Sequence, residues 1–313
     1  MRDKDIVITG GAGFIGSHLA DHIAEENNLT IVDDLSYGKK KFVPDNAKFE
    51  KADITNFESL KDSIGEPDII FHMAARAQTR STSLGWDNPQ LDCEVNAKGT
   101  INVFEAVRQK DLDSKIVYAS SAAVYGNPVN PPISEEHRKK PISPYGVHKF
   151  TGEKHMESYV EEQGLDISAV RIFNSFGPRQ PRYVMYDFFK KLQKNNSELE
   201  VLGSGKQIRD YCYISDTIRA FEMIADKGEK GEAYNVSGEN VISIGDLAEL
   251  MIEIAGVEAD INYTDESWSG DIKRLEANIS KLNSLGYSPE VGLEEGLRKF
   301  KKYFEKTEGK IKR

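Results

Sequence analysis

The chain is 313 residues long and 39% apolar, and its 51 acids against 41 bases give a formal charge of −10. That acidic balance argues against nucleic acid as a partner, and no stretch approaches the roughly 18 apolar residues needed to cross a bilayer. Cys93 and Cys212, in no metal-ligand spacing, suit a reducing cytoplasm, and Met1 lies too near the first apolar run to leave room for a signal peptide.

The first apolar run, Ile6–Ile8, reads as a buried parallel strand and is followed at once by Gly10, Gly13 and Gly16. A helical pattern (Phe14, Ile15, Leu19, Ile23) comes next. Glycines at that spacing allow a tight turn, close approach of backbone to a pyrophosphate, and close helix–strand packing, with the helix N-terminus aimed at the phosphates. A second run, Leu29–Val32, ends in Asp33-Asp34. A carboxylate there accepts from both ribose hydroxyls and repels a 2′-phosphate, which favours NAD over NADP. Lys39, Lys40 and Lys41 could hold such a phosphate but read better as a solvated loop. A third strand over Lys48–Lys51 brings Asp53-Ile54 to the adenine edge, although Asp53 equally fits a helix cap before Phe57.

Further runs at Asp68–His72, Lys115–Ala119 and Ile167–Arg171 alternate with long helical patterns near Asn88–Lys110 and Pro144–Gln163. The alternation predicts an α/β fold with a doubly wound parallel sheet over residues 1–173. Beyond it, shorter pieces predict a smaller C-terminal α/β substrate lobe over 174–313. Its expected helices lie at Met185–Lys194, Asp216–Lys227, Ile244–Ala255 and Glu294–Lys306, and its strands at Leu199–Leu202 and Tyr211–Ile214. The chain is expected to return to the main sheet near 233–236.

Tyr145 and Lys149 stand four apart on a predicted helix and so share a face, and Ser121 closes the fifth run at the sheet edge where α/β proteins bind ligands. A neighbouring ammonium and a cationic nicotinamide both favour phenolate, which suits Tyr145 to general-base work. His72, His148 and His155 pair with no second ligand at useful spacing and read as structural, so no metal is expected.

Thr9–Gly16, Asp33, His72–Ala75, Asn96–Thr100, Ser120–Gly126, Pro144–Lys149, Arg171–Pro178 and Gln207–Tyr211 together resemble the extended short-chain dehydrogenase/reductase family, in its nucleotide-sugar epimerase branch. The resemblance covers residues 6 to about 282. It implies a Rossmann fold, a tightly held NAD and a nucleoside-diphosphate sugar whose C4 is oxidised to a ketone and reduced on the other face. It implies Ser121, Tyr145 and Lys149 as the catalytic set. Cofactor contacts are implied for Gly10, Gly13, Phe14, Ile15, Gly16, Asp33, Asp34, Asp53, Ile54, Met73, Ala74, Ala75, Asn96, Tyr145, Lys149 and Phe173. Substrate contacts are implied for Ser121, Tyr145, Asn174 and Arg209. It also implies a homodimer through the two long helices.

Related 4,6-dehydratases carry Asp-Glu, and C6 decarboxylases a Glu, in the stretch where this chain has Ala122-Ala123. Without an acid there, chemistry beyond C4 lacks its proton carrier, so epimerisation of UDP-glucose/UDP-galactose or a close relative is the reading. Those two activities and a non-catalytic NAD sensor are the rivals. Where the family has an arginine for the second phosphate, this chain has Trp268-Ser-Gly-Asp271, so that role passes to Arg274 or Trp268 stacks on a base.

Overall fold

The computed structural model describes residues 1–77, 85–264 and 272–312. Strand β1 (Asp5–Thr9) turns through glycines into α1 (Phe14–Ile23), and β2 (Asn28–Val32), β3 (Lys48–Glu50), α2 (Phe57–Ser63) and β4 (Ile69–His72) follow. Next come α3 (Pro89–Cys93), a π-helical turn over Glu94–Lys98, α4 (Gly99–Gln109), β5 (Lys115–Ser121), α5 (Pro144–Gln163) and β6 (Asp166–Ile172). The remainder is β7 (Asn174–Phe176), α6 (Tyr183–Lys194), β8 (Glu198–Val201), β9 (Ile208–Tyr213), α7 (Ile214–Lys227) and β10 (Ala233–Val236). Strand β11 (Asn240–Ser243), α8 (Ile244–Ala255), β12 (Asp260–Tyr263), β13 (Arg274–Leu275), α9 (Ser280–Asn283) and α10 (Leu293–Glu308) complete it.

Seven strands form one parallel sheet in the order β10-β6-β5-β4-β1-β2-β3. Strand order reverses between β1 and β4, and at such a switch point the loops leave in opposite directions and open a crevice. Along β1, Ile6 and Ile8 join one core while Val7 joins the other, so the strand is apolar on both faces, as a doubly covered sheet requires. The larger core continues into the C-terminal helices through Phe189, Phe221, Phe300 and Phe304.

Two expectations are refined. The stretch expected as one helix over Asn88–Lys110 is broken by the π turn, which carries Asn96. That side chain donates to the Arg76 carbonyl at 3.0 Å and accepts the Arg76 N–H at 2.9 Å, a pairing that ties the helix to the loop after β4. Strand β9 begins at Ile208 rather than Tyr211, because antiparallel pairing with β11 extends it.

Behind β5 and β6, Arg171 forks onto Glu153 (Nε to Oε1 2.9 Å, Nη2 to Oε2 2.8 Å), and the Ser120 hydroxyl donates to the same carboxylate at 2.5 Å. Arg171 also donates to the Tyr125 hydroxyl at 2.9 Å. Both charges are buried, so removing one strands the other in a poor dielectric. Arg171→Met is therefore expected to lower folding stability by about 3–5 kcal/mol in denaturant melts. A loss under about 1 kcal/mol would show that Glu153 needs no partner.

Candidate active site

The crevice at the switch point is a cleft of about 1480 Å³, roomy enough for two ligands side by side. At its floor, Gly10 has φ +69°, and a Cβ there would stand 2.6 Å from the backbone of Ala74. Only glycine lets the loops after β1 and β4 touch in this way. Helix α1 starts from Gly13 with no side-chain cap and no acid in its first turn, which leaves its amide end suited to an anion. Asp33, at the end of β2, is 6% exposed. It accepts the Ala12 N–H on Oδ2 at 3.0 Å and the Leu35 N–H on Oδ1 at 2.8 Å. Burial pushes its pKa up and these two amides pull it back, so the carboxylate is fixed in place and still borders the cleft. Glycine turn, bare helix end and buried acid together fit a dinucleotide with an unphosphorylated ribose. Lys40 lies 3.3 Å from the Phe49 ring centroid, Lys39 and Lys41 lie over Phe42, and all three stay out of the cleft.

On the opposite wall, β5 ends at Ser121, whose Oγ accepts the Ala123 N–H at 3.2 Å and so caps a short 3-10 turn over Ala122–Tyr125. Helix α5 starts beside it. Ser143 accepts the Gly146 N–H at 3.1 Å, Pro144 fills the first position and Tyr145 the next. A Cβ at Gly146 would stand 2.6 Å from the Ala123 carbonyl, so this glycine lets α5 press onto the turn. The contact brings the Tyr145 phenol beside Ser121, and both face the cleft. One helical turn on, Lys149 is 1% exposed, donates to the Ala119 carbonyl at 2.8 Å and lies 5.9 Å from the Tyr145 ring centroid. Burial lowers the Lys149 pKa to about 7, opposed by the charges of Asp92 and Glu153. Burial raises the Tyr145 pKa, and the neighbouring Ser121 hydroxyl lowers it in part.

Gly10, Gly13, Phe14, Ile15, Gly16, Asp33, Asp34, Asp53, Ile54, Met73, Ala74, Ala75 and Phe173 all line this cleft, as do Ser121, Tyr145, Lys149, Asn174 and Arg209. Asn96 does not, being turned to the Arg76 backbone. Arg274 does not either; it is paired with Glu276 at the exposed edge of β13. Trp268 and its neighbours to Asp271 lie outside the described residues. Asp53 borders the cleft and accepts the Thr55 N–H at 2.8 Å, while Asn56 is the residue that caps α2. Arg209 reaches the Ile208 and Ile272 carbonyls at 2.9 and 2.6 Å, and Asn174 donates to the Asp210 carbonyl at 2.9 Å.

His72 bonds the Thr9 and Thr100 hydroxyls at 2.7 and 3.0 Å, and burial lowers its pKa to about 3, so it is neutral and structural. His148 meets the fully buried Asp92 at 2.6 Å. Sequence reasoning missed Asp92, Arg76 and the cleft residues Tyr37, Arg182 and Tyr183. No motif marks them, and only the folded chain brings them to the site.

The sequence pattern of the NAD dependent epimerase/dehydratase family matches residues 6–237. A curated "Putative UDP-glucose 4-epimerase" of Methanocaldococcus jannaschii is 36% identical over 302 residues, covering 94% of this chain and 96% of its own. The structure resembles that of a UDP-N-acetylglucosamine 4-epimerase from Methanobrevibacter ruminantium in complex with UDP-N-acetylmuramic acid. The TM-score is 0.89 at 32% identity, with coverage of 97% and 99% of the two chains. It equally resembles a UDP-glucose 4-epimerase with UDP-glucose from Thermotoga maritima, with TM-score 0.89, 32% identity and coverage of 96% and 99%.

Lys149 gives a signed pH dependence. Its folded pKa near 7 lies below the unfolded value of about 10, so between these limits the unfolded chain binds more protons and this group's contribution to stability rises with pH. In melts of the nucleotide-free chain from pH about 7 to about 10, the wild type should gain stability relative to Lys149→Met. Parallel curves would contradict the buried-ammonium account.

Proposed function

Because this chain belongs to the NAD dependent epimerase/dehydratase family, we propose that it is an NAD-dependent 4-epimerase of nucleoside-diphosphate sugars, acting on UDP-glucose/UDP-galactose or a close relative. The observation that carries the reading is the placing of Ser121 and Tyr145 side by side with a buried Lys149, in one cleft with the glycine turn and Asp33. When bound, NAD supplies a hydride acceptor that later acts as donor.

Tyr145 takes the proton of the sugar 4-hydroxyl, and Ser121 hydrogen-bonds the same oxygen. Lys149, held on the Ala119 carbonyl, offsets the burial that keeps the phenol neutral. Reversal gives the proton back once the ketone has presented its other face. Asn174 and Arg209 hold the nucleotide-diphosphate end, Arg209 by the guanidinium fork suited to phosphate. Ala122 and Ala123 border the cleft where elimination at C5 and C6 would need an acid and a base, which favours epimerisation over dehydration or decarboxylation. We assign residues 1–173 to the cofactor and most of 174–313 to the substrate.

Leu91, Ile142 and Val147 expose apolar surface around the start of α5, which supports a homodimer through the α4–α5 face. Light scattering at twice 35.1 kDa is the expected result, and a mass near 35.1 kDa would rule the dimer out. No described helix is long and apolar enough to cross a membrane, and the free thiols fit the cytoplasm we infer.

Proton NMR of UDP-glucose with the enzyme should show UDP-galactose accumulating without a C6 methyl doublet. Tyr145→Phe should retain NAD and lose about 10²–10⁴ in turnover. A dominant methyl signal would make the chain a dehydratase, and a variant keeping more than about a tenth of the activity would make another group the base.

A further inference from the structure

The crossover from β7 to α6 holds two non-glycine residues in the left-handed region, Arg179 at φ +67° and Tyr183 at φ +72°. Such backbone is unfavourable for side-chain-bearing residues and persists where surrounding contacts over-determine it. At Tyr183 those contacts cross the cleft. Its hydroxyl donates to the carbonyl of Ala77, in the loop after β4, at 3.4 Å. The preceding Arg182 places its guanidinium carbon 5.6 Å from the ring centroid of Tyr37, in the loop after β2, and 5.8 Å from that of Tyr183. One end of α6 thus touches two separate segments of the sheet half of the molecule, on either side of the glycine turn.

The position of this bridge matters. Asp33 and Tyr37 stand on the ribose side of the cleft, and Ser121 and Tyr145 on the opposite wall. Arg182 reaches Tyr37 on the first side while its charge is felt by the Tyr145 phenol on the second. Asp33, the start of α1, Tyr145, Arg182 and Tyr183 all border this one cleft. Tyr183 is 46% exposed and its ring lines the same cleft.

We propose that Arg182 and Tyr183 form a latch over the bound dinucleotide, with Arg182 facing its diphosphate and Tyr183 closing the gap to the loop after β4. A guanidinium opposite the helix end places the diphosphate between two donors of positive potential. The cation–π contact with Tyr37 holds that guanidinium across the cleft. The latch deepens the epimerase reading, since an enzyme that returns its hydride must keep the reduced nucleotide between half-reactions. Opening it acts chiefly on the dissociation rate.

The test uses holoenzyme carrying NAD, diluted into excess deuterium-labelled NAD, with exchange followed by mass spectrometry of the denatured complex and no sugar present. Arg182→Ala is expected to exchange about tenfold faster than wild type, and Tyr183→Gly likewise. Glycine adopts φ +72° freely, so Tyr183→Gly should not lower the melting temperature of the nucleotide-free chain. An acceleration above about fivefold in both variants supports the latch, and a smaller change in either overturns it. If Arg182→Ala does not fold, Tyr183→Gly decides by the same threshold. Failure of the epimerase reading is seen separately, as wild-type holoenzyme that leaves UDP-sugars unchanged.

Discussion

The hydrogen bond from Lys149 Nζ to the Ala119 carbonyl is the contact on which the rest of the site depends. It joins the middle of α5 to the end of β5 from inside the protein, where the ammonium has lost its water and has the carboxylates of Asp92 and Glu153 as its opposite charges. With α5 fixed there and Gly146 pressed onto the Ala123 carbonyl, Tyr145 has one place to go, beside Ser121. A longer residue at 146 would lift the helix and separate the two hydroxyls.

The arrangement also shows what the proposed role of Tyr145, base and then acid, asks of its surroundings. Burial holds Tyr145 protonated, and a bound nicotinamide cation together with Lys149 would pull the other way. Loss of the proton therefore depends on holding those charges beside the phenol. The sheet supplies the rigidity this needs: β5 is hydrogen-bonded on both sides, and the Glu153–Arg171 fork fixes α5 to β6 one turn beyond the lysine.

Much of this was legible in the sequence because it rests on local constraint. Glycines at 10, 13 and 16, an acid at 33, and Tyr145 with Lys149 on one helical face each leave a pattern that needs no partner to be read. The strands β7, β11, β12 and β13 left none, being two to four residues long and defined by what they pair with. Arg274 shows the same limit. Its number suited a phosphate ligand, but its guanidinium is held by Glu276, two residues along the chain. Arg182 and Tyr183 carry no motif, and their place over the cleft depends on left-handed backbone that the sequence Pro-Arg-Tyr does not announce.

The central claim is that hydride leaves C4 and returns to C4 of the same sugar within one closed site. UDP-glucose deuterated at C4, turned over in ordinary water and analysed by NMR and mass spectrometry, tests it directly. The account predicts UDP-galactose with the deuterium still on C4. Product with hydrogen at C4 would mean that the label is lost to solvent, and the inversion would then have to proceed by proton abstraction.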